Sequence, residues 1–129
     1  MVHKFLLPFA LFYTLFLTFG SFIGSDQLPK LGSSVSDKVL HFMGYTFLVI
    51  LWAISVYFKS KKNKLITVVL KTAFLALIYG IIIEVFQEQL TITREGDIKD
   101  VFANLFGIIT AVILLLLIRP KLIKLKNRN

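Results

Sequence analysis

The stretch VFANLFGIITAVILLLLI, residues 101–118, contains no charged side chain. A helix needs about 20 apolar residues to cross roughly 30 Å of hydrocarbon, and a membrane strand needs about half that. Lipid offers backbone groups no hydrogen bonds, so a spanning stretch of this length must be helical. Three more such runs precede it: Phe5–Ile23, Val39–Phe58 and Thr67–Phe86. The second is also free of charge. The third carries Lys71 near its start and Glu84 near its end. The expected fold is therefore all-α: a polytopic membrane protein of four transmembrane helices, forming one domain over residues 1–129.

Composition agrees with this reading. The chain is 57% hydrophobic and 17% charged, with a mean hydropathy of +0.80. Soluble domains are nearer half apolar and about a quarter charged. One small core could not hide this much apolar surface. The chain has no cysteine, which excludes disulfides, thiolate metal sites and cysteine nucleophiles. Pro8 falls in the first turns of the first helix, where proline is tolerated or bends the helix. The first apolar run follows Lys4, as in a secretory leader, but it exceeds the usual apolar core and no A-x-A-like site follows it. It reads as a retained helix.

The net charge of +8 describes topology. Lys4, Lys59, Lys61, Lys62, Lys64, Lys71, Arg119, Lys121, Lys124, Lys126 and Arg128 all fall on one side of the four spans. Lys30, Lys38, Arg94 and Lys99 fall on the other. The positive-inside rule makes the first side cytoplasmic, with both termini there. All seven acids, Asp26, Asp37, Glu84, Glu88, Glu95, Asp97 and Asp100, fall on the outer side. The basic balance thus reflects orientation and contact with anionic lipid, not nucleic-acid binding. The terminal Lys121, Lys124, Lys126 and Arg128 read as a solvated topogenic tail.

The outer side also carries the varied polar chemistry. Asp37, His41 and Tyr45 stand at i, i+4 and i+8, on one helix face, with Lys38 and Phe42 beside them. Gly80, Glu84 and Gln87 share a face at the end of the third run. Asp97, Asp100, Asn104 and Gly107 share one at the start of the fourth, with Arg94 just before it. Glu84 is the most informative residue. An acid inside a span costs about 2.5–3.5 kcal/mol on insertion scales for Asp at the centre, and such groups face the bundle interior with a partner. His41, Arg94 and Asn104 are its candidate partners. Ala76 and Gly80, and the four-residue repeat Ala103, Gly107 and Ala111, are positions that let membrane helices approach closely.

Structural roles compete with functional ones at each position. Asp37 suits an N-cap of the second helix. Asp97 and Asp100 suit a capping arrangement at the fourth. His41 suits an interhelical hydrogen bond. Trp52, Tyr45, Tyr57 and Tyr79 need no function, since aromatics belong in membrane helices and their interfaces.

The combined pattern resembles the VanZ-like family of small membrane proteins, named for a protein associated with low-level teicoplanin resistance. The residues carrying the resemblance are Asp37-Lys38-x-x-His41-Phe42-x-x-Tyr45, Gly80-x-x-x-Glu84-x-x-Gln87, and Arg94 followed by Asp100-x-x-x-Asn104-x-x-Gly107. They occur in order over about residues 36–110. The family usually has a proline between Gln87 and Arg94, where this chain reads Glu88-Gln89-Leu90-Thr91-Ile92-Thr93. The resemblance implies a multi-pass protein of the bacterial cytoplasmic (inner) membrane connected with the cell envelope. It does not supply a mechanism.

Three functional expectations follow. In the first, an outward polar pocket formed by Asp37, Lys38, Gln87, Arg94, Asp100 and Asn104 engages a lipid-linked or peptidoglycan-related ligand, or a glycopeptide drug. In the second, the chain is an enzyme on a lipid-linked anionic substrate in the outer leaflet. His41 would then be the catalytic acid or base and Glu84 would orient it, because imidazole suits proton transfer near neutral pH. Arg94 would clamp a phosphate or carboxylate. In the third, the polar residues serve only packing or a protein partner. The chain has no stand-alone metal motif. Asp97, Asp100 and Glu84 offer oxygen ligands that suit Mg²⁺ or Ca²⁺, so the sequence permits a divalent cofactor without indicating one. A transporter is disfavoured because no acid sits at mid-span.

Overall fold

The computed structural model describes residues 3–22, 34–60, 62–90 and 98–128. Among these residues all regular structure is helical. The helices are α1 (His3–Phe22), α2 (Ser34–Lys59), α3 (Leu65–Leu90), α4 (Ile98–Leu117) and α5 (Arg119–Asn127). The first four are long and apolar enough to cross a membrane.

The observed boundaries differ from the apolar runs in one consistent way. α2 starts five residues before Val39, and α3 continues four residues past Phe86. Each has 26 residues, about 39 Å at 1.5 Å per residue, against roughly 30 Å of hydrocarbon. The extra turns are polar. A helix satisfies its own backbone in water as it does in lipid, so it need not stop where apolar residues stop. α4 likewise begins at Ile98, and its polar first turn contains Lys99 and Asp100. Asp37 is therefore not the N-cap of α2 but lies inside its first turn, where a carboxylate favours the positive end of the helix dipole. The positions of Arg94, Glu95 and Asp97 lie outside the described residues.

α2 is the central element and packs on α1, α3 and α4, most extensively on α4. Small residues set the closest approaches. A side chain at Gly107 would collide with the backbone carbonyl of Phe42. The two helices therefore touch backbone to backbone. The Thr46 hydroxyl completes the contact by donating to the carbonyls of Phe42 at 2.7 Å and Gly107 at 3.1 Å. At Gly80 an added Cβ would lie 3.0 Å from the Tyr45 ring, so α3 presses on α2 there. Ala53, Ala76 and Ala111 are buried between the helices with Val49, Val69 and Leu115.

α1 is peripheral. Phe5, Phe9, Phe12, Phe16 and Phe19 are exposed. An exposed apolar face of that size suits lipid and not water. Polar contacts hold its other face. Tyr13 donates to the Gly44 carbonyl at 3.1 Å, Trp52 Nε1 donates to Thr14 Oγ1 at 2.9 Å, and the hydroxyls of Thr18 and Tyr79 lie 2.8 Å apart.

The terminal lysines are not a simple solvated tail. They lie on α5, which starts around Pro120, a residue suited to a first helical turn. Leu122 is buried, and the Lys126 ammonium sits 3.9 Å from the Tyr57 ring centroid. That is cation–π range.

Candidate functional site

Adjacent antiparallel spans bring alternate ends together. The start of α2, the end of α3 and the start of α4 thus meet at one end of the bundle, and the polar residues of all three converge there. Glu84, Gln87, Asp100 and Asn104 are buried. The side chains of His41 and Asp100 are each 9% exposed.

His41 is the hub. Its Nδ1 lies 3.1 Å from Asn104 Oδ1. An amide oxygen only accepts, so Nδ1 carries the proton of this hydrogen bond. Glu84 Oε1 lies 3.8 Å from the same nitrogen, outside hydrogen-bond reach but close enough for a charge to be felt. On the far side of the ring, Nε2 faces Asp37 Oδ1 at 4.0 Å and Asp100 Oδ2 at 3.8 Å. The other oxygen of Asp100 accepts from Lys38 Nζ at 2.7 Å. α2 and α4 are thus joined by one ion pair and one imidazole–amide bond, which lie about two turns and one turn along α4 from the backbone contact at Gly107.

The structure brings together Asp37, Lys38, His41, Glu84, Asp100 and Asn104, six of the residues singled out by spacing. Gln87 also bridges helices, but toward α1, where Nε2 donates to the Ser21 carbonyl at 2.5 Å. Glu84, the group expected to orient His41, stands 3.8 Å from Nδ1, and Asn104 makes the hydrogen bond to it. Asn104 is 2% exposed, and its Nδ2 has no hydrogen-bond partner among the described residues. A buried unsatisfied donor costs about 1–3 kcal/mol.

Helical spacing gave no sign of a groove of about 430 Å³ between α1 and α2. Leu17, Phe16, Leu40 and Phe47 line its apolar length, and Ser21, Asp37 and His41 its polar part. Its only sequence trace is the pair of small residues on its walls, Gly20 and Gly44. The groove size is in the range of small-molecule sites. A chain-bearing ligand fits its chemistry: apolar wall along the span, titratable groups at one end.

Among the described residues, Asp37, His41 and Asp100 form a group that could hold a metal ion, with one ligand atom from each lying within 4.8 Å of the others. This differs from the set Asp97, Asp100 and Glu84 that the sequence offered. Asp97 lies outside the described residues, and Glu84 is on the Nδ1 side of the ring.

No curated protein and no solved structure matches the chain. The sequence profile of the VanZ/LLP1 family matches residues 2–119, a span that includes every helix contributing to the polar cluster. The match covers most of the chain, whose four long apolar helices suit a membrane protein, and the chain belongs to the VanZ/LLP1 family.

Proposed function

We propose that this protein works in the bacterial cytoplasmic membrane, with the polar end of its bundle facing outward. There it binds the headgroup of a lipid-linked or peptidoglycan-related envelope molecule and contributes to tolerance of glycopeptides such as teicoplanin. One observation carries the reading: His41, set among Asp37, Glu84, Asp100 and Asn104, lies at the polar part of an apolar groove between α1 and α2. Four helices can pack through small and apolar residues alone. Acids and an imidazole near hydrocarbon are costly, and intramembrane ionisable groups commonly mark function.

The enzymatic reading has its own support. A protonated Nδ1 fixed by Asn104 leaves Nε2 as the reactive nitrogen, and a positioned imidazole is the commonest general acid or base. Binding and catalysis make different demands on His41. Substitution by Gln keeps hydrogen bonding and removes proton transfer. Cells expressing His41→Gln, Glu84→Gln and Asn104→Leu at matched membrane levels are to be scored for teicoplanin sensitivity in a host where deletion has a clear phenotype. Loss in all three supports a functional pocket. Wild-type behaviour in all three makes the cluster a packing device and rejects the proposal.

A further inference from the structure

We infer that Asp37, His41 and Asp100 form a binding site for a divalent transition-metal ion of the Zn²⁺ or Mn²⁺ kind. The inference rests on these three ligand atoms and not on the lipid reading above. Asp37 and His41 are four residues apart on α2, so both project from one helix face. Asp100 comes from α4, which the Gly107 contact holds against α2. Asp37 Oδ1 and Asp100 Oδ2 stand 4.0 and 3.8 Å from His41 Nε2. Ligand atoms around a tetrahedral ion at about 2.0–2.2 Å sit roughly 3.4 Å apart, and these three lie within 4.8 Å of one another, so movements of up to about 0.7 Å by each carboxylate close the set.

The hydrogen-bond pattern leaves the right nitrogen free for a cation. With Nδ1 hydrogen-bonded to Asn104 Oδ1, Nε2 is the nitrogen turned toward the two carboxylates. An outer partner that fixes the tautomer in this way is the usual support of a metal-binding histidine. Lys38 occupies Asp100 Oδ1 and leaves Oδ2 turned to the ring.

The Asp37 side chain is 29% exposed, so the ion has a route in and keeps open positions. One nitrogen and two carboxylates suit Zn²⁺ or Mn²⁺ better than the all-oxygen sets of Mg²⁺ and Ca²⁺.

The test uses the full chain in lipid nanodiscs, stripped with chelator and titrated separately with Zn²⁺, Mn²⁺ and Mg²⁺. Bound metal is read by elemental analysis after desalting, and Mn²⁺ also by electron paramagnetic resonance. The expected result is about one equivalent of Zn²⁺ or Mn²⁺. Affinity should fall at least about tenfold in Asp37→Asn, His41→Gln and Asp100→Asn. Glu88→Gln, an exposed acid outside the cluster, should bind as wild type. Asp37→Asn alters a partly exposed side chain and guards against loss of folding. No binding, binding of Mg²⁺ alone, or wild-type affinity in Asp37→Asn or in folded His41→Gln overturns the site. Metal binding that leaves retention of phosphate-headed lipid unchanged counts against the lipid-linked reading and leaves this site standing.

Discussion

His41 and Asn104 are 63 residues apart in the chain and meet at 3.1 Å between Nδ1 and Oδ1. The bond joins the central helix α2 to α4 and fixes which imidazole nitrogen faces Asp37 and Asp100. A single side-chain contact thereby couples the packing of two spans to the chemistry at the polar end of the bundle.

The α2–α4 approach should make Gly107 the least tolerant of the described glycines. An alanine there meets the Phe42 carbonyl, and backbone cannot swing aside. Gly80→Ala meets the Tyr45 ring at 3.0 Å, and a ring has some freedom to tilt. Gly107→Ala should cost about 1–3 kcal/mol, the range for overpacking, and Gly80→Ala less. Thermal unfolding of the protein in detergent, followed by circular dichroism, gives the ranking. Equal melting of both variants and wild type would show that the helices are farther apart.

The Lys38–Asp100 pair should show coupling in a double-mutant cycle. Lys38→Met leaves a mostly buried carboxylate without its ammonium partner, while Lys38→Met with Asp100→Asn removes the charge as well. Lys38 is partly exposed, so water screens part of the loss, and the coupling should be about 1 kcal/mol. Additive losses would mean that the pair contributes nothing beyond its separate side chains.

α1 should be held by hydrogen bonds as much as by packing. Trp52 is the only tryptophan in the chain and donates to Thr14 Oγ1. Thr14→Val should shift its emission to the blue and lower stability by about 0.6 kcal/mol, the average for such interhelical bonds. Unchanged emission would place the indole away from α1.

Orientation follows from charge and is testable because the native chain has no cysteine. Single cysteines at Ser33 and Glu95 should react with an impermeant maleimide in intact cells, and one at Lys62 only after permeabilisation. Labelling at Lys62 from outside would invert the topology.

Much of this architecture is legible in the residues themselves. Four apolar runs define four spans, and helical spacing places Asp37 with His41, and Asp100 with Asn104, on common faces. Glu84 declares an interior position by its cost in lipid. Helix ends are less legible, because a span can continue into the headgroup region on polar residues, as α2 does from Ser34 and α3 does to Leu90. Nor does spacing within one helix say which helix lies opposite. Gln87 shares a face with Glu84 yet bonds to Ser21 of α1, and the α1–α2 groove arises only from tertiary packing. α5 is hidden because five basic residues in eleven read as a tail, while its apolar contact depends on Leu122 and Ile123 meeting the bundle.

The central claim is that the polar cluster binds an envelope lipid headgroup and is not merely a packing device. Its most direct test is mass-spectrometric identification of lipids retained by the protein purified in mild detergent, compared with His41→Gln and Asp100→Asn of equal thermal stability. Enrichment of a phosphate-headed, lipid-linked envelope molecule on the wild type, lost in both variants, is the predicted result. The same lipids in the same amounts on all three proteins would contradict it.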